Sequence, residues 1–199
     1  MTWIKICGIT NLEDAQTAVD AGADALGFVF YPKSPRHTNA GTVKAICSKI
    51  PVEIEKVGVF VNQAQEFPEL TAIQMHFTGE EKTFPGTPLK KYLAMSPGDS
   101  VVNESIDAVF LDSGTPDQPG GTGKTFDWEA SRPLVQDLGK KYRVVVAGGL
   151  TPANVAEAIR ILKPWGVDVS SGVEATPGKK DPQKVRDFIN AVRQVEVSV

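Results

Sequence analysis

The chain has 199 residues, 41% of them hydrophobic, and a net charge of -3. That length suits one full hydrophobic core and a single domain over residues 1–199. The mild acidity excludes the basic surface that nucleic acid or an anionic membrane would need, and no apolar run is long enough to span a bilayer. The polar, strand-like first ten residues do not read as a leader, so a cytoplasmic protein is expected. Cys7 and Cys47 have no disulfide framework around them and read as free thiols in a reducing compartment. His37 and His76 show no ligand spacing, so no metal is expected.

In chain order, Trp3–Cys7 reads as a strand. Ile4 and Ile6 share one face, Lys5 and Cys7 the other. Asn11 caps a helix that runs to Gly22, and Ala25–Phe30 is a continuous apolar strand. Two prolines hold 31–37 extended. A helix over Asn39–Ser48 precedes a third strand, Glu55–Val61. Ala72–His76, Lys91–Met95 and Ala108–Leu111 are further strands, joined by short polar segments with weak helical patterning. The loop Ser113–Thr125 leads to a helix over Asp127–Leu138. Tyr142–Ala147 is a strand, and Thr151–Pro152 opens a helix to Leu162. Val167–Ser170 is the last strand and Pro182–Val195 the closing helix.

Eight β-branched runs alternating with helical patterns fit parallel strands buried on both faces. A closed (β/α)₈ barrel, the TIM barrel, uses all eight and leaves no edge. The chain is short for that fold, which typically takes about 250 residues. Shortened connections after strands 3–5 account for the saving. An open doubly wound sheet is the alternative.

Barrel chemistry sits at the carboxyl ends of the strands. Cys7, Arg36, His76, Asp112, Gly148–Gly149 and Ser170–Ser171–Gly172 all fall there. Cys7 alone reads as a small buried hydrophobe. Beside Lys5 it reads equally as a reactive thiol, because a nearby positive charge favours the thiolate. Gly148, Gly149, Ser171 and Gly172 follow the last two strands, where a close-approaching backbone and free amides suit a phosphate. Arg36 offers a planar fork for a carboxylate, or is a solvated loop residue. Asp168 lies on the last strand, next to the first in a closed barrel. It is the candidate partner of Lys5 and belongs with the substrate-binding set. Asp127 stands where a helix begins and reads by position as a cap.

The run Gly120–Thr125 (GGTGKT) is not a nucleotide-binding P-loop. Gln118 occupies the position of the required earlier glycine, and neither a strand before nor a helix after adjoins it. A mobile glycine-rich loop closing over a substrate is expected instead.

Six stretches together resemble the phosphoribosylanthranilate isomerase family of tryptophan biosynthesis: 5–10 (KICGIT), 27–36 (GFVFYPKSPR), 58–62 (GVFVN), 120–128 (GGTGKTFDW), 147–150 (AGGL) and 167–174 (VDVSSGVE). The resemblance covers nearly the whole chain. It departs at His76, followed here by Phe77–Thr78 before Gly79. It implies a (β/α)₈ barrel and an Amadori rearrangement of N-(5-phosphoribosyl)anthranilate without cofactor or metal. It also implies Cys7 as general base, Asp127 as general acid and Arg36 as the clamp on the anthranilate carboxylate. The expected partner is this small phosphoribosyl substrate, with neither nucleic acid nor membrane, and the expected state is a monomer or homodimer. Three rivals are the related histidine-pathway isomerase, which has aspartate where Cys7 stands, a bifunctional enzyme serving both pathways, disfavoured for the same reason, and a non-catalytic phosphate-sugar binding barrel.

Overall fold

In the structure, a computed structural model describing residues 1–79, 83–101, 105–113 and 125–197, eight parallel strands close into a barrel in sequential order. They are β1 (Trp3–Cys7), β2 (Ala25–Val29), β3 (Glu55–Val61), β4 (Ala72–His76), β5 (Lys90–Met95), β6 (Ala108–Leu111), β7 (Arg143–Val146) and β8 (Gly166–Val169). The helices are α1 (Leu12–Ala21), α2 (Ala40–Cys47), α3 (Trp128–Leu138), α4 (Val155–Leu162) and α5 (Pro182–Val197). They follow β1, β2, β6, β7 and β8. Among the described residues no helix follows β3, β4 or β5, the shortened middle that the weakly patterned segments predict. A hairpin of β9 (Glu174–Thr176) and β10 (Lys179–Lys180) lies between β8 and α5.

The strand boundaries lie within a residue of those predicted, the ordinary fraying of such ends. The helix predicted to open at Thr151–Pro152 instead begins at Val155. The reason is Asn154. Its side chain caps no helix; it accepts from the Thr151 amide at 2.7 Å and donates to the Gly149 carbonyl at 3.0 Å. It therefore pins the β7–α4 turn, and residues 151–154 become part of that turn. At α1 the prediction and the structure agree: Asn11 accepts from the Asp14 amide, and Gly22 closes the helix in the left-handed region at φ 99°.

Alternation along the strands divides the apolar residues into two cores. Ile4, Ile6, Leu26, Phe28, Ile73, Val109 and Val167 face outward beneath the helices. Ala25, Val57, Ala72, Tyr92, Ala108, Phe110 and Val145 fill the interior with Trp3 and Trp165. Trp3 stacks on Trp165 at 5.1 Å and meets Tyr92 and Phe110 edge-on at 6.3 and 6.1 Å. This aromatic plug seals the amino end of the barrel. Above it the interior turns polar.

Lys5 is fully buried on β1, and its register partner on β8 is Asp168. Their side chains meet at 3.0 Å. The ammonium also lies 5.3 Å from the Phe110 ring centre, a cation–π contact. The pair spans the seam where the last strand meets the first. Breaking a buried pair from one side leaves an uncompensated charge and costs about 3–5 kcal/mol, whereas replacing both partners by apolar groups is often neutral. Lys5→Met should therefore lose stability on that scale in a denaturant titration, and Lys5→Met with Asp168→Leu should recover most of it. Equal losses in the single and double variants would contradict this account of the seam.

Candidate active site

The carboxyl ends of the strands carry a pocket lined by Cys7, Arg36, Gln74, His76, Asp112, Asp168 and Ser170. Cys7 ends β1, and the chain turns at Gly8 with φ +77°. A β-carbon there would lie 2.8 Å from Arg36 Cδ and 2.9 Å from Ser170 Oγ, so glycine is required by both conformation and space. Gly27, the register partner of Cys7, is equally confined: a β-carbon would stand 2.7 Å from Cys7 Sγ and 2.9 Å from Lys5 Cε. Glycine at this point makes room for the thiol and the ammonium side by side.

The electrostatics of Cys7 differ from the expectation. Burial pushes its thiol up, and the opposing attraction of Lys5 does not overcome it; Asp168 adds to the rise. Lys5 itself is raised, because Asp168 and Cys7 outweigh the burial that would lower it. The ammonium is shared with a carboxylate, so less of its field reaches the sulfur. Burial, with a contribution from Lys5, pushes His76 down to about 4, leaving a neutral imidazole near neutral pH.

Arg36 is held, not solvated. Its Nε and Nη2 each donate to Glu174 at 2.8 Å, one to each carboxylate oxygen. Glu174 also accepts from Lys180, 3.2 Å away, and Lys180 Nζ donates to the Ser170 carbonyl at 3.1 Å. Burial pushes the Glu174 carboxyl up, but the hydrogen bonds and charges of Arg36 and Lys180 outweigh it and hold the group below its ordinary value. The guanidinium keeps a second edge, Nη1 and the remaining N–H of Nη2, for another acceptor pair. The sequence reading gave no role to Glu174 or Lys180. Glu174 lies within the 167–174 motif, but only the β9–β10 hairpin reveals its partners and brings Lys180 to it.

Beside this pocket lies a second, sharing Asp112, Asp168 and Ser170 and adding Gly148, Gly149 and Ser171. Gly148 and Gly149 have φ +75° and +63°. A β-carbon on Gly148 would reach 2.6 Å from the Ser113 amide nitrogen, and one on Gly172 would reach 1.9 Å from the Leu150 carbonyl oxygen. The loops after β7 and β8 are thus packed backbone to backbone. The glycine pair does not lie at a helix amino end, since α4 starts only at Val155; the turn Ser171–Val173 follows β8 directly.

Asp127 is exposed and caps α3, accepting from the Ala130 amide at 3.0 Å. It is not among the described residues lining either pocket. Of the loop Ser113–Thr125, whose glycine-rich run is expected to close over the substrate, residues 114–124 lie outside the described residues. The remaining predicted residues, Cys7, Arg36, Gly148, Gly149, Asp168 and Ser171, line these two adjoining pockets, with Gly172 packed against Leu150 beneath them.

A family model described as N-(5'-phosphoribosyl)anthranilate isomerase matches residues 4–191. The N-(5'-phosphoribosyl)anthranilate isomerase of Trichlorobacter lovleyi is 43% identical, covering 98% of this chain and 99% of its own. The crystal structure of phosphoribosyl anthranilate isomerase from Thermotoga maritima is 40% identical with a TM-score of 0.79, over 98% of this chain and all of the other. A 36% identical structure of such an isomerase, with a TM-score of 0.73 over 98% of this chain and all of the other, holds reduced 1-(o-carboxyphenylamino)-1-deoxyribulose 5-phosphate. Likeness over almost the full length, in both sequence and barrel, leaves one conclusion: the chain belongs to the N-(5'-phosphoribosyl)anthranilate isomerase family.

Proposed function

We propose that Cys7 is the general base and Asp127 the general acid of the rearrangement this isomerase of tryptophan biosynthesis performs. It turns N-(5-phosphoribosyl)anthranilate into 1-(2-carboxyphenylamino)-1-deoxy-D-ribulose 5-phosphate. The observation that carries the reading is the thiol of Cys7 at the floor of a pocket, beside a buried ammonium and within the same walls as Arg36. Asp127 protonates the ribose ring oxygen and the ring opens to an iminium ion. Cys7 then removes the proton from the adjacent carbon, giving an enolamine that tautomerises to the ketone. One group gives a proton and the other takes one, which divides the work. The free edge of Arg36 takes the anthranilate carboxylate. The backbone near Gly148, Gly149, Ser171 and Gly172 takes the phosphate, with Asp168 fixing Lys5 beneath. No step needs a cofactor or metal.

The protein works in the cytoplasm as a single barrel domain, monomeric or as a homodimer. No described helix is long and apolar enough to cross a membrane, and a relative from Thermotoga maritima is described as dimeric.

A positioned acid or base contributes about a hundred- to ten-thousand-fold. Cys7→Ser should lower kcat on that scale with KM little changed. Asp127→Asn keeps an oxygen for the Ala130 amide, so α3 should persist by circular dichroism while turnover falls similarly. Near-normal kcat in Asp127→Asn would reduce Asp127 to a cap and pass its role to another acid, with Asp112 the first to examine. The buried thiol adds a pH signature. An ordinary thiol titrates near about 8.5, and Cys7 lies above its ordinary value. The rate of Cys7 alkylation by a small reagent, which follows the thiolate alone, should still be climbing beyond about pH 8.5. A plateau in that rate below about pH 8 would contradict the raised thiol. At the phosphate end, Gly172→Ala should raise KM and weaken competition by inorganic phosphate, because the new carbon overlaps the Leu150 carbonyl. Unchanged values for both would remove that loop from the assignment.

A further inference from the structure

Two buried polar atoms in the wall of the pocket have no hydrogen-bond partner among the described residues: Gln74 Oε1 and Ser170 Oγ. Gln74 is on β4 and Ser170 just beyond β8, opposite walls of an eight-stranded ring. The Ser170 hydroxyl can turn to donate or to accept, so it does not specify what it meets. Gln74 is more restrictive. It is 4% exposed. Its register neighbours on β3 and β5 are Val59 and Tyr92, so an apolar side chain would suit the position equally well for packing. Its amide nitrogen lies 3.1 Å from His76 Nε2. The amide turns its nitrogen to the histidine, and in that arrangement the ring carries its proton on Nδ1 and accepts at Nε2. The oxygen that remains can only accept. A buried acceptor of this kind is costly unless a ligand supplies a donor.

This inference rests on the proposed reaction, which fixes the two ends of the ligand. The phosphate lies by the loops after β7 and β8, and the carboxylate lies at Arg36; both present only acceptors near neutral pH. The donors of the substrate lie between them, in the sugar hydroxyls and the anilinic N–H. The N–H is ortho to the carboxylate and closes an internal hydrogen bond with it. The hydroxyls are left. We propose that Gln74 accepts a hydrogen bond from a hydroxyl of the substrate's sugar and determines specificity for that hydroxyl. A site built around such a bond rejects a ligand that lacks the hydroxyl, because the acceptor then stays buried and unmatched.

Calorimetric titration of the full chain tests this with two kinds of probe. One is reduced 1-(o-carboxyphenylamino)-1-deoxyribulose 5-phosphate, and the others are forms of it lacking one sugar hydroxyl at a time. Gln74→Leu should bind the complete analogue about tenfold more weakly, the scale of one neutral hydrogen bond. The unaltered chain should show a similar loss against one of the deoxy forms. The two losses should not add: Gln74→Leu should bind that deoxy form and the complete analogue alike. If the leucine variant does not fold, Gln74→Asn, which withdraws the oxygen but keeps the amide, carries the same comparison. Full affinity in the variant would overturn the proposal. So would an equal loss for every analogue, which marks a purely structural role. Failure of the unaltered chain to bind the complete analogue would instead overturn the reading of the reaction, and this inference with it.

Discussion

The ion pair of Lys5 and Asp168 is the constraint around which the mouth of the barrel is arranged. A buried ammonium is costly without a counter-charge, and here the counter-charge comes from the strand that closes the ring. Once the pair is in place, its neighbours follow from space. Gly27 must lack a side chain, because the Lys5 methylenes and the Cys7 sulfur occupy that volume. Gly8, which turns with positive φ, must lack one too, because Arg36 and Ser170 crowd it. Below the pair, the rings of Trp3, Tyr92, Phe110 and Trp165 close the amino end of the barrel. The polar layer therefore rests on a sealed apolar floor, where charges interact more strongly than they would in water.

The charges of that layer nearly balance. Lys5, Arg36 and Lys180 face Asp168 and Glu174. Asp112 adds a further carboxyl to the wall of the same pocket, and all three cations act on Cys7 or are acted on by it. Burial nevertheless outweighs this attraction in the thiol itself. The magnitudes oppose each other for a definite reason: each cation is already paired with a carboxylate, so the field left over for the sulfur is a difference, while the loss of hydration is felt in full. A thiol held this way is scarcely ionised near neutral pH, but its thiolate, once formed, is a strong base.

How much of this was legible in the sequence depended on how local each cause was. The eight strands declared themselves through apolar runs, and the Lys5–Asp168 contact through two polar residues on inward faces of strands that a closed ring must place side by side. The start of α4 falls later than the ordinary helix-opening signal of Thr151–Pro152 predicts, because nothing local shows the Asn154 side chain reaching back to Gly149. The influence of Lys5 on Cys7 was overrated because sequence adjacency reveals the charge but not its partner's share of it. Glu174 and Lys180 stayed silent because their contacts run through a hairpin of two very short strands. Gln74 stood in plain view in the fourth strand, but its meaning depends on which of its two polar ends is spent on His76, and that is a matter of coordinates.

The hairpin shows how a segment outside the barrel reaches the chemistry. The Thr10 hydroxyl, just beyond Cys7, donates to the Gly178 carbonyl at 2.6 Å, tying the hairpin turn to the loop after β1. The Lys180 amide donates to Asp14 of α1 at 2.8 Å. Held at both places, the hairpin presents Glu174 to one edge of the Arg36 guanidinium, and no described residue takes the other edge. A long side chain that would otherwise sample many rotamers has lost that freedom on folding. Lysine at 36 could not divide its donors into two planar edges, so the arrangement requires arginine on geometric grounds, and the carboxylate of Glu174 requires Lys180 to share its charge in so dry a place.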